Sequence, residues 1–236
     1  FLTARGLEQI KNDVAYSNNI VNIVGISAGV SYGALGTTHH SLHDYAALRA
    51  INNIDIIAPA DNFETREAVR ALLNHPYPVY MRLGKRPMYD LHPSGTQFEI
   101  GKAITIREGS DATIIAIGEP TSRAVMAADL LAEEGIHCRV ISMHTLRPFD
   151  TDALLNAAHT TRAIVTVEEH SVSGGLGERC ASILMENRIS IPFKIVGIPD
   201  EYVVNGSQFE IFDHYGISRD GLAAHVRNLL KVEDNS

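Results

Sequence analysis

Short β-branched apolar runs alternate with amphipathic stretches along this chain. Ile20–Ser27 (IVNIVGIS), Ile54–Ala58 (IDIIA) and Val79–Leu83 read as buried parallel strands. Between them, Asp44–Ala50 and Phe63–Leu73 read as helices. Asp61 is the expected N-cap of the second, and Glu64, three residues on, is expected to complete a capping box. Residues 3–15 place Leu7, Ile10 and Val14 on one helical face. The stretch 84–98, with Gly84, Pro87, Pro93, Ser94 and Gly95, reads as a linker crossing a surface.

Alternation resumes near Phe98. Strands are expected at Ala112–Ile117, His137–Ser142, Arg162–Val167 and Phe193–Ile198. Helices are expected at Thr121–Glu134, with Gly135 as its C-cap, and at Thr151–Ala158, Gly174–Asn187 and residues 220–231. This order predicts the α/β class, as two α/β units with mainly parallel sheets. The first unit is placed at 1–90, a linker at 91–110 and the second unit at 111–236.

The chain has 236 residues, 45% of them hydrophobic and 20% charged, enough for two cored units. A net charge of −8 argues against a nucleic-acid partner. No apolar run reaches the length of a membrane span, so no membrane partner is expected. Cys138 and Cys180 lie far apart, with no CxxC pair or Cys/His cluster, so neither a disulfide framework nor structural zinc is expected. Reduced thiols fit a cytoplasmic protein. The first residue is Phe1 rather than Met, so the chain is expected to begin inside a longer protein.

Four stretches could carry chemistry. Gly29–Asp44 (GVSYGALGTTHHSLHD) follows a strand end, where open α/β sheets place ligands. Its glycines allow close backbone approach. His39 and His40 can move protons near neutral pH, or equally cap the next helix. His39 and His43 have the i, i+4 spacing of helical metal pairs, but the carboxylate base of that motif is missing, and no metal site is assigned. Arg82-Leu83-Gly84-Lys85-Arg86 could grip a phosphate or carboxylate, or simply open a solvated linker. Gly174-Gly175-Leu176-Gly177 lacks dinucleotide spacing and reads first as a tight turn with close helix–strand packing. Glu168-Glu169-His170 ends a strand and is read as an interface or structural cluster.

Gly33-Ala34-Leu35-Gly36-Thr37-Thr38-His39 resembles the G-x-D-G-x-T-H segment of transketolases and deoxyxylulose-phosphate synthases. Phe1–Ile10 resembles the helix bordering the cofactor's pyrimidine ring in that family. Val140–Pro148 and Val167–Gly177 resemble the transketolase C-terminal domain, which β subunits of 2-oxoacid dehydrogenases share. The resemblance covers essentially the whole chain, and it implies an N-terminally truncated pyrimidine-binding domain followed by a transketolase C-terminal domain. It also implies a transferase using thiamine diphosphate and Mg²⁺ to move a two-carbon ketol unit from a ketose, free or phosphorylated, to an aldose acceptor. His39 matches the histidine facing the substrate, Phe1 an aromatic residue of the pyrimidine pocket, and Lys85, or Arg86 beside it, the basic residue gripping a substrate phosphate.

Two positions depart from the family. Leu35 stands where an aspartate usually bonds a donor hydroxyl, and Ser27 stands where a histidine is usual. The family's activating glutamate aligns upstream of Phe1, and the diphosphate- and Mg²⁺-binding domain lies outside this chain. The resemblance therefore implies a separate diphosphate-binding subunit as partner, self-association to a homodimer or heterotetramer, and no activity for this chain alone. The alternatives are a 2-oxoacid dehydrogenase β subunit, a deoxyxylulose-phosphate-synthase-like enzyme, and a non-catalytic scaffold subunit.

Overall fold

The structure, a computed structural model, describes residues 1–234. The N-terminal helical segment is broken where one continuous helix is expected. It comprises α1 (Leu2–Arg5), α2 (Leu7–Gln9) and a π-helical stretch Ile10–Tyr16. Ile10 and Ala15 are buried, while Leu7 and Val14 are only partly covered.

The first sheet holds β1 (Asn22–Gly25), β2 (Asp55–Ile57) and β3 (Val79–Arg82), with α3 (Asp44–Arg49) and α4 (Asn62–Leu72) between them. The strand order is β1-β3-β2, all parallel. The first strand is not the buried one its composition suggests. Among the described residues it pairs only with β3, so it forms an edge, and Ile20, Val24 and Ile26 are 62%, 44% and 73% exposed. Val79, Tyr80, Met81 and Arg82 are all buried, as suits the central strand.

Asp61 caps α4 as expected, its carboxylate accepting from the Glu64 amide at 2.8 Å. Glu64 does not close the box on Asp61. Its carboxylate accepts from the Ala60 amide at 2.6 Å and pairs with His92 at 2.9 Å. The stretch read as a surface linker is therefore pinned onto α4, and the Leu91 amide also bonds Asp61 at 2.6 Å. Burial opposes charge on His92, but Glu64 and Asp61 outweigh it and raise its pKa.

The second sheet contains β4 (Ile104–Arg107), β5 (Ala112–Ala116), β6 (Cys138–Ser142), β8 (Ala163–Ser171) and β9 (Phe193–Ile198), in the order β4-β6-β5-β8-β9. Only β4 is antiparallel. It lies inside the 91–110 segment read as linker, because an edge strand of mixed polarity gives no buried-run signal. Helices α5 (Pro120–Glu133) and α9 (Arg219–Asp234) contribute to the core on one side of this sheet, and α6 (Thr151–Thr160) and α7 (Leu176–Glu186) to a second core. A short helix, α8 (Gln208–His214), starts with a closed Ser207–Glu210 capping box.

The two units are joined by more than the connecting segment. Strand β7 (Thr145–Arg147) leaves the second unit and pairs antiparallel with β2 at the far edge of the first sheet. Arg147 donates to the carbonyls of Arg49, Ile51 and Ile54. One continuous core holds Tyr45, Leu48 and Ile56 from the first unit with Ile115, Ile141 and Leu154 from the second.

Candidate active site

An open cleft of about 610 Å³ lies beyond the C-terminal end of β1. Phe1, Ser27, Tyr32, Leu35, His39 and His43 line it. The Gly29–Asp44 loop that supplies most of these side chains is closed at its base, where the Ser41 amide donates to the Gly29 carbonyl at 2.8 Å. A 3₁₀ turn, Gly33–Leu35, carries Leu35 to the rim, where it is 55% exposed. Ser27 holds φ at +63°, a left-handed conformation that costs a non-glycine residue about 1–3 kcal/mol and is concentrated at ligand sites.

His39 is exposed on this loop. The rings of Phe1 and Tyr32 approach it edge-on, with centroids 5.6 Å and 6.2 Å away. Its Nδ1 lies 3.0 Å from Thr38 Oγ1, which leaves Nε2 for a ligand. His40 takes the opposite, internal role. It is 7% exposed, and its Nε2–H donates to the Gly33 carbonyl at 3.2 Å. Burial lowers its pKa against the Gly33 bond, and nearby His39 adds to the lowering. So the two histidines, alike in sequence, divide into one facing the cleft and one holding the loop.

Lys85 and Arg86 separate. The Lys85 ammonium lies 3.7 Å from the centre of the Tyr32 ring, and that ring lines the cleft. Arg86 instead stacks on Phe209, 4.4 Å from its ring centre, in a different hollow beside α5 and α8. The structure thus brings Phe1, His39 and, through Tyr32, Lys85 together, and it leaves Arg86 out. Tyr32 escapes sequence reasoning, because its only signal is its position in the glycine-rich loop.

Arg82 is the buried anchor beneath the loop. Its guanidinium bonds the Asp44 carboxylate at 2.8 Å, the Ser41 carbonyl at 3.0 Å and the Glu169 carbonyl at 2.9 Å, and it stacks 4.4 Å over Tyr45. Burial raises the cost of charge on Asp44, but Arg82 and His170 overcome it and keep its pKa low.

The Glu168-Glu169-His170 cluster is wholly internal. Glu168 accepts from the Leu176 and Gly177 amides at 2.7 Å and 2.8 Å, so the glycine turn before α7 faces the protein's own carboxylate. His170 stacks on Tyr45 at 4.9 Å, and burial pushes its pKa down to about 4. Among the described residues, no group of three or more His, Cys, Asp or Glu could hold a metal, and no helix is long and apolar enough to cross a membrane.

Residues 1–89 match the family model "Transketolase, pyrimidine binding domain", and residues 101–222 match "Transketolase, C-terminal domain". The chain belongs to the transketolase family. It is 46% identical to a subunit of the apulose-4-phosphate transketolase of Phocaeicola vulgatus, over 98% of this chain and 74% of that protein. It is 36% identical to a 6-deoxy-6-sulfo-D-fructose transketolase subunit of a Clostridium species, over 95% of this chain and 70% of that protein. A solved structure described as a split gene transketolase, inactive beta4 tetramer, superposes with a TM-score of 0.86 at 34% identity, covering 98% of this chain and 73% of that one. The mainly parallel sheets and the two transketolase domain types are as the sequence implies. Leu35 and Ser27, the two departures, both face the cleft of this transketolase-family chain.

Proposed function

We propose that this chain is the pyrimidine-side subunit of a split, thiamine diphosphate-dependent transketolase that transfers a two-carbon ketol unit from a ketose phosphate to an aldose. The observation that carries the reading is the meeting of Phe1 and His39 in one open cleft beyond the end of β1. A planar heteroaromatic ring fits this cleft, because Phe1 offers an aromatic face and Val24 and Ile26 an apolar wall, while Thr38 and Ser41 offer hydrogen-bonding groups. When bound, the cofactor supplies the electron sink for breaking and making a carbon–carbon bond. His39, with Nδ1 engaged by Thr38, presents Nε2 to exchange a proton with a substrate oxygen. Lys85 holds the substrate phosphate at the rim.

The diphosphate and Mg²⁺ belong to a partner subunit in this reading. Support comes from the exposed apolar residues around the cleft: Phe1 is 68% exposed, Leu2 46% and Leu35 55%. The similar proteins described as subunits, and the tetramer among the solved structures, point the same way. The test is to mix the protein with its diphosphate-binding partner, thiamine diphosphate, Mg²⁺ and a panel of ketose and aldose phosphates. Ketol transfer with at least one pair is expected, and its absence with every pair would refute the proposal.

Three substitutions refine it. Lys85→Ala is expected to raise KM for a phosphorylated substrate about tenfold with little change in kcat, the loss of one charge-assisted hydrogen bond. Arg86→Ala is expected to change KM less than twofold, since its guanidinium is spent on Phe209. Greater damage from Arg86→Ala would reverse the assignment. Leu35→Asp restores the family's polar group at an exposed position, so it should fold normally. It is expected to shift kcat/KM at least about tenfold toward a donor with a free hydroxyl at that site, measured against a deoxy analogue. An unchanged ratio would place donor selection elsewhere.

A further inference from the structure

The second unit reaches into the first at two points. From β8, Glu169 sends its carboxylate under the start of the His39 loop, where Oε1 accepts from the Val30 amide at 2.8 Å. A Cβ at Gly29 would lie 2.2 Å from Glu169 Cγ, and Gly29 has φ +56°, so only glycine lets the loop sit on this side chain. Glu119, just before α5, lies against the turn whose Lys85 stacks on Tyr32 of the cleft. A Cβ at Gly84 would meet Glu119 Oε1 at 1.9 Å, and Gly84 precedes Lys85. Gln208, at the start of α8, ties the two acids together. Its amide nitrogen donates to Glu119 Oε2 at 2.7 Å and to Glu169 Oε1 at 2.9 Å.

The charge arithmetic of this arrangement is unfavourable if both acids are ionised. Glu169 and Gln208 are 1% and 6% exposed. One neutral amide serves two carboxyl groups. Among the described residues, Glu169 Oε2 and Glu119 Oε1 are buried without a hydrogen-bond partner. The charged groups facing the cluster are Arg82 from β3, with Asp44 from α3 bound to it, and on the Glu119 side Arg86 and Arg123, which line the same hollow as Glu119 and Gln208 and stack on Phe209. Arg82 spends its donors on the Asp44 carboxylate and on the Ser41 and Glu169 backbone carbonyls, not on the Glu169 carboxyl. A buried carboxyl in this position is more stable with its proton.

We infer that Glu169, Gln208 and Glu119 form a brace through which the second unit positions the His39 loop and the Lys85 turn, and that the brace holds while Glu169 is protonated. The inference rests on the transketolase reading for its effect on turnover, but not for the brace itself. Burial, with Glu119 adding to it, pushes the Glu169 carboxyl up to about 8. A carboxyl whose pKa is raised on folding weakens the fold as pH climbs from the ordinary glutamate range through the raised value, because the unfolded chain has already lost that proton. The brace should therefore loosen on the alkaline side. The three side chains are positioning residues, since none of them lines the cleft.

The experiment compares the intact protein, assembled with its partner, as wild type and as Glu169→Gln, Glu169→Ala and Gln208→Leu. For the wild type, kcat/KM is expected to fall about tenfold per pH unit above roughly 8. Glu169→Gln keeps a neutral acceptor for the Val30 amide and is expected to give a flat profile from pH 7 to 9.5. Glu169→Ala and Gln208→Leu are expected to lower kcat/KM about tenfold at pH 7, with faster hydrogen exchange across residues 29–44 and 82–86. An alkaline limb that persists in Glu169→Gln, or normal exchange in Glu169→Ala, would overturn the brace. If no variant shows ketol transfer, the functional reading fails alone. The brace is then judged by exchange at Val30, which should quicken with pH beyond the intrinsic rate in the wild type but not in Glu169→Gln.

Discussion

Replacing His39 with alanine is expected to lower kcat/KM of the assembled enzyme by about 10²–10⁴-fold, the usual contribution of a positioned acid–base group. The fold should survive the change. His39 is exposed on its loop, its ring bonds the neighbouring Thr38 while its amide keeps the Gly36 carbonyl whatever the side chain, and exposed substitutions away from caps and cores usually shift stability by no more than about 0.5 kcal/mol. The loop itself is held from beneath by His40, Arg82 and Glu169, none of which depends on His39. A full steady-state comparison, alongside a thermal melt, separates the two quantities. Loss of turnover with an unchanged melt supports a catalytic imidazole. A loss of less than about threefold would remove His39 from the chemistry.

The largest structural effect is expected at Arg82. Truncation to alanine leaves the Asp44 carboxylate buried and unpaired, frees two loop carbonyls and removes the cation over Tyr45. Breaking one side of a buried pair typically costs about 3–5 kcal/mol. For a protein of this size that corresponds to a fall in Tm of roughly 10 °C, read by calorimetry or circular dichroism. Arg82→Lys should recover only part of the loss, because one ammonium cannot reproduce a planar fork whose Nε serves Asp44 while a terminal nitrogen serves the Ser41 and Glu169 carbonyls. The partner change, Asp44→Asn, is expected to be costly as well. It strands the guanidinium and weakens the bond from the Tyr80 hydroxyl to Asp44, 2.8 Å in the native protein. A fall in Tm below about 3 °C for Arg82→Ala would show that water reaches the pair.

Much of the fold is legible along the chain where burial is two-sided. Val79–Arg82 and Ala112–Ala116 emerge almost to the residue, because central parallel strands leave unbroken apolar runs. Edges are where the pattern fails. Ile104–Arg107 alternates with threonine and arginine and vanishes into the expected linker, while Asn22–Gly25 reads as buried and is not. The Glu64 side chain shows a similar limit. Its spacing from Asp61 predicts a local cap, but His92, far along the chain, competes for it and wins one oxygen. In the cleft, Phe1 and His39 are found from their resemblance to a family. Gln208 and Glu119 leave no local trace, since an amide and a carboxylate 89 residues apart become partners only when the second unit folds and sets the start of α8 beside the start of α5. The different orientations of Lys85 and Arg86 are invisible for the same reason: Tyr32 and Phe209 decide them.

Strand β7 bears on how such proteins can be recombined. Its three residues border a sheet that otherwise belongs to the other half of the chain, with Arg147 bonded to carbonyls around the turn before β2. A chimera joined at residues 91–110 would inherit the strand from one parent and the sheet edge it must match from the other. Successful exchange of halves between related sequences should therefore require Thr145–Arg147 and Asp55–Ile57 to travel as a set. Genes assembled without that pairing should yield protein with an open, adhesive edge that associates with itself.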